Sequence, residues 1–75
     1  MQDLTIAVVG ATGAVGAEFL RIVEIRYPNL PKLKLLASRR SAGKHITVGG
    51  NDFVVEEATE RSFDGVDVAF ISANA

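Results

Sequence analysis

Two stretches of this 75-residue chain carry residue types that could do chemistry. The first is Gly10-Ala11-Thr12-Gly13-Ala14-Val15-Gly16, a GxxGxxG pattern between an apolar run and an amphipathic one. Glycine at the first position permits a sharp turn. At the second it lets a ligand approach the backbone with no Cβ in the way, and at the third it lets a helix pack closely on a strand. A helix starting here presents unpaired N–H groups and a positive dipole end, which suits a pyrophosphate. Gly10, Thr12, Gly13, Ala14 and Val15 are therefore candidate ligand contacts. A glycine-rich turn with no ligand is the competing reading.

The second stretch is Ser38-Arg39-Arg40-Ser41-Ala42-Gly43-Lys44. It follows what reads as the second strand, where NAD-binding domains place an Asp or Glu to accept from the ribose 2′-OH. Here arginines and serine hydroxyls replace the acid. They would hold a 2′-phosphate by charge-assisted hydrogen bonds. The expected cofactor is thus NADP rather than NAD, with Ser38, Arg39, Arg40 and Ser41 as its contacts. A solvated basic loop is the alternative.

No other group stands out as catalytic or metal-binding. His45 is the only histidine and falls at a strand edge. Glu56 and Glu57 are adjacent, so on a strand they face opposite sides and cannot act as a pair. Asp64 and Asp67 flank a turn with no His or Cys beside them. The absence of cysteine excludes a disulfide scaffold, a thiolate metal site and a Cys nucleophile within these residues. Phe19, Phe53 and Phe70 read as core. Residues 72–74, after the last strand, lie where open α/β sheets place ligands and are further candidates.

The elements needed to position these residues can be read from the pattern. Residues 4–9 (LTIAVV) read as a buried parallel strand. From about residue 13 to 26, Val15, Phe19, Ile22 and Val23 recur at helical spacing, and Pro28 and Pro31 end the helix. Residues 33–37 (LKLLA) read as a second strand. Residues 45–48 and 53–57 form a hairpin around Gly49-Gly50-Asn51-Asp52, residues 59–63 a helical turn, and residues 67–72 a last strand. This order predicts an α/β fold, the first half of a Rossmann-type doubly wound parallel sheet. The sheet is truncated, with no second helix to cover its other face, so residues 1–75 are expected to be a partial NAD(P)-binding domain within a longer protein or an assembly.

Composition agrees with a folded domain: 48% hydrophobic, 23% charged and a formal net charge of −1. That balance gives no overall pull toward nucleic acid or membrane. It hides a basic stretch (Lys32, Lys34, Arg39, Arg40, Lys44) followed by an acidic one from Asp52 to Asp67. A chain this short buries only roughly 60% of its unfolded surface and is marginal alone. Met1-Gln2-Asp3 lacks the basic start of a secretory signal, so a cytoplasmic location is expected.

VVGATGAVG (residues 8–16), LASRRSAGK (36–44) and FDGVDVAFISA (63–73) closely resemble the N-terminal segment of bacterial aspartate-semialdehyde dehydrogenases. The likeness covers essentially the whole chain in order. N-acetyl-glutamyl-phosphate reductases share a GATG turn but lack the RSAGK loop, and rank second; a non-catalytic nucleotide-binding module is a third reading. The resemblance implies an NADPH-dependent enzyme that reduces aspartyl phosphate to aspartate semialdehyde in lysine, threonine and methionine biosynthesis. It also implies a homodimer or homotetramer, with a cysteine nucleophile and a histidine acid/base beyond the matched segment. Thr12, Gly13, Ala14 and Val15 would cradle the pyrophosphate. Ser38, Arg40 and Ser41 would hold the 2′-phosphate, with Arg39 a helper. The family commonly has glycine where this chain has Asn74.

Overall fold

Residues Thr5–Val9 form strand β1. Their β-branched and apolar side chains suit a strand covered on both sides. In the computed structural model, which describes residues 4–72, Ala7 and Val8 are fully buried and Ile6 nearly so. Helix α1 (Ala14–Arg26) and strand β2 (Lys32–Ala37) follow. Next come strands β3 (His45–Val48), β4 (Asn51–Val54) and the short β5 (Glu56–Glu57), a 3-10 turn (Glu60–Phe63) and strand β6 (Val68–Ile71).

Strands β5, β2, β1 and β6 make one sheet in that spatial order, and every pairing in it is parallel. Counted along the chain, its strands run 3-2-1-4. This is the half-sheet of a doubly wound nucleotide-binding fold, as the pattern predicts. The register sets Val8 beside Leu35 and Phe70 on one face, and Val9 beside Leu36 and Ile71 on the other. On the first face, Ile6, Val8 and Leu35 form the core with Leu20 of α1 and with Val48 and Val55. On the other, the Lys34 ammonium donates to the carbonyls of Ser62 (2.9 Å) and Asp64 (3.3 Å), tying the 3-10 connection to the sheet.

The helix is rotated from the phase expected. Its buried residues are Gly16, Leu20 and Val23, whereas Val15 is 59% and Ile22 43% exposed. The reason lies at Gly16. Its backbone presses so closely on Gly10 and Ala11 that the row i, i+4, i+7 from Gly16 must face inward. Phe19 is left at the margin, where its ring stacks on Phe70 with centroids 4.0 Å apart. Phe19, Phe53 and Phe70 are thus partly buried residues packed against the core rather than its centre.

The expected strand over residues 53–57 is also corrected. It splits into β4, paired antiparallel with β3, and β5, which leaves the hairpin for the edge of β2. Val55 is the pivot. Its N–H donates to Lys44 and its carbonyl accepts from Gly43, both at 2.8 Å, and its side chain is buried. The hairpin turn needs only Gly49 and Gly50, at φ +57° and +83°, so Val48 pairs directly with Asn51. Positive φ at both central residues is the two-residue geometry that follows strand twist.

Candidate functional site

The glycine turn is held by main-chain bonds to the neighbouring strand. Gly10, at φ +85°, and Ala11 both donate to the Leu36 carbonyl, at 2.8 and 3.1 Å. Gly13 donates back to Gly10 at 3.0 Å and serves as the N-cap of α1 without any side-chain cap. The first helical bond runs from Ala17 N to Gly13 O at 2.9 Å. The amides of Thr12, Ala14, Val15 and Gly16 therefore have no backbone or side-chain acceptor among the described residues. These are the donors a helix start leaves open, clustered at the positive end of its dipole.

Two glycines make this geometry possible. A Cβ on Gly10 would come within 2.7 Å of the Ser72 carbonyl oxygen, besides requiring a left-handed backbone. A Cβ on Gly16 would overlap the carbonyl oxygen of Gly10. Gly13 sits at φ −83°, a conformation open to any residue, so backbone shape does not require glycine there.

Of the residues with open amides, Thr12, Ala14 and Val15 line a cleft of about 530 Å³ across the carboxyl ends of the strands. Its central wall comes from β1 and the turn: Val9, Gly10, Thr12, Gly13, Ala14 and Val15. One side is formed by Ala37, Ser38 and Arg39 after β2, and beyond them by Glu57 and Ala58. Ser72, after β6, closes the other side. Strand order reverses between β2–β1 and β1–β6, and open α/β sheets take ligands at such a point.

The cleft gathers most of the residues singled out by the sequence. Gly10, Thr12, Gly13, Ala14, Val15, Ser38 and Arg39 share it; Arg40 and Ser41 do not line it. Ser41 instead places its hydroxyl 3.4 Å from that of Thr12, joining the basic loop to the glycine turn beside the cleft. Residues 73 and 74 lie outside the described residues. Glu57 and Ala58 are contributors the sequence did not reveal. Reading residues 53–57 as one hairpin strand hid them, and only the break at Val55 carries Glu57 to the sheet edge.

The remaining polar groups lie elsewhere. His45 Nδ1 and Asp52 Oδ2 are hydrogen-bonded at 2.7 Å across the exposed hairpin. On α1, Glu18 pairs with Arg21 at 3.2 Å, and this hydrogen bond raises the guanidinium pKa above its ordinary value. Among the described residues no three His, Asp or Glu side chains are grouped to hold a metal ion. No described helix is long and apolar enough to cross a membrane.

Comparison with known proteins agrees with this geometry. The family model described as "Semialdehyde dehydrogenase, NAD binding domain" matches residues 5–75. The aspartate-semialdehyde dehydrogenase of Bacillus subtilis is 49% identical over 72 residues, which are 96% of this chain and 21% of that protein. Its counterpart in Prochlorococcus marinus is 47% identical, again over 96% of this chain and 21% of its own length. A probable aspartate-semialdehyde dehydrogenase structure from Pseudomonas aeruginosa superposes with a TM-score of 0.86 at 38% identity, covering 96% of this chain and 22% of that one. The chain thus spans about a fifth of the length of the relatives it matches. From the half-sheet, the turn and the match over residues 5–75, this chain belongs to the NAD-binding domain family of semialdehyde dehydrogenases.

Proposed function

We propose that this chain is the NADP-binding portion of an aspartate-semialdehyde dehydrogenase. The observation that carries the proposal is the shared cleft: unpaired amides at the start of α1 and the Ser38–Arg39 wall open onto one space. The residues fit the cofactor. Thr12, Ala14 and Val15 would donate main-chain N–H bonds to the pyrophosphate, with Gly13 leaving room for it. Ser38 and Arg39 would hold the 2′-phosphate, and Arg40 and Ser41 would add charge and hydroxyl from the turn just beyond.

When bound, NADPH supplies a hydride; the residues of this chain bind and orient it. The chain has no cysteine to form a thioester with the acyl group, so that step would fall to residues of the complete protein. Reduction of aspartyl phosphate to aspartate semialdehyde, for lysine, threonine and methionine biosynthesis, would belong to the complete protein. On the same reading, that protein is a cytoplasmic homodimer or homotetramer.

Titration with NADP and with NAD tests the assignment. NADP is expected to bind at least tenfold more tightly, the effect of about one charge-assisted contact. The advantage should shrink as salt screens the exposed arginines. Equal affinity for the two cofactors would overturn the role given to residues 38–41.

A further inference from the structure

We propose that Glu57 reads the adenine base of the dinucleotide by accepting a hydrogen bond from its exocyclic amino group. The inference rests on the dinucleotide reading above and adds a base-specificity residue to it. Strand order supplies the first argument. The open amides lie at the end of β1, Ser38 and Arg39 at the end of β2, and Glu57 at the end of β5, the next strand outward. A dinucleotide with its pyrophosphate over β1 and its phosphorylated ribose over β2 lays its base over β5. The other half of the molecule then runs toward β6 and Ser72.

Side-chain direction supplies the second argument. Glu57 pairs with Ala37, which belongs to the cluster on the helix-covered face, while its neighbour Glu56 points the opposite way. Only Glu57 of the two lines the cleft. The segment is pinned there by a 2.9 Å bond from Ala58 N to the Ala37 carbonyl. The Glu57 carboxylate has no hydrogen bond or ion pair among the described residues, so its acceptor capacity is open to a ligand.

The chemistry of a carboxylate completes the case. It accepts and does not donate. A 2′-phosphate would be repelled by it and drawn to Arg39, on the adjacent strand end. The donor left over β5 is the amino group of adenine. A base bearing a carbonyl there, such as hypoxanthine, would turn oxygen toward oxygen, so the same contact rejects it.

The test measures equilibrium affinities for NADP and for its hypoxanthine analogue, using the protein as its gene encodes it. Wild type is expected to favour NADP by about tenfold, the magnitude of one hydrogen bond to a charged group. Glu57→Ala should bring that ratio to about one, with the fold checked by circular dichroism. Glu57→Gln, whose amide can also donate to the hypoxanthine oxygen, should bind both ligands within about threefold of each other. A Glu57→Ala protein that keeps the wild-type ratio overturns the proposal. So does one that loses NAD affinity with the ratio unchanged, since the carboxylate would then serve the ribose 2′-OH. Wild type that binds neither NADP nor NAD overturns the dinucleotide reading itself, a separate and recognisable failure.

Discussion

The glycine turn and the basic loop stand on two sides of one cleft, yet they are held in place by different means. Residues 10–16 are shaped by main-chain bonds to Leu36 and by two close approaches that leave no room for a Cβ. Their proposed ligand contacts are backbone amides, whose positions follow from the fold. In the loop at residues 38–44, the contacts would instead be long, exposed side chains on a turn closed by a 2.9 Å bond from Ser41 N to Ser38 O. Damage to the turn should therefore cost stability and all nucleotide binding together. Damage to the loop should change which nucleotide is preferred and leave the fold intact.

Gly16→Ala is the strongest way to break this contrast. The new methyl overlaps the Gly10 carbonyl and forces α1 away from β1, so a loss of about 3 kcal/mol in chemical denaturation is expected. Binding of NADP and NAD should fail together. Gly10→Ala follows at about 2 kcal/mol, from the left-handed backbone and the approach to Ser72. If either variant lost NADP alone, the turn would be acting through side-chain selectivity and the contrast would be wrong.

Arg39→Ala is the complementary test. Isothermal titration should show NADP affinity lowered by about thirtyfold, or about 2 kcal/mol, with NAD affinity and melting temperature unchanged. Arg40→Ala should lose less, about threefold, because its side chain does not line the cleft. The reverse order would mean that the loop rearranges around its ligand. Ser41→Ala should have the smallest effect. It removes the 3.4 Å hydroxyl contact with Thr12, the one hydrogen bond between the two regions among the described residues, and should change NADP affinity by about twofold.

Much of the fold was legible because its signals are local. The apolar run before Gly10, the prolines after Arg26 and the glycine pair at residues 49–50 each set an element boundary through backbone chemistry. The glycine turn was legible for the same reason. Helix phase was not, because α1 is apolar over more than one face. Val15, Phe19 and Ile22 offer as plausible a stripe as Gly16, Leu20 and Val23. Hydrophobicity cannot choose between them, and the choice falls to the contact at Gly16, a residue with no side chain to weigh.

The same division holds at the cleft. The order of residues along the chain determined that a strand, a glycine turn and a helix start would present open amides, and that a basic loop would follow the next strand. Tertiary structure alone decided that Arg39 rather than Arg40 lines the cleft and that Glu57 joins it. Periodicity records what each residue prefers to bury, whereas a shared site depends on which strand ends the sheet brings side by side. That pairing turns on one buried valine at position 55, whose two main-chain bonds end the hairpin and deliver Glu57 to the edge of β2.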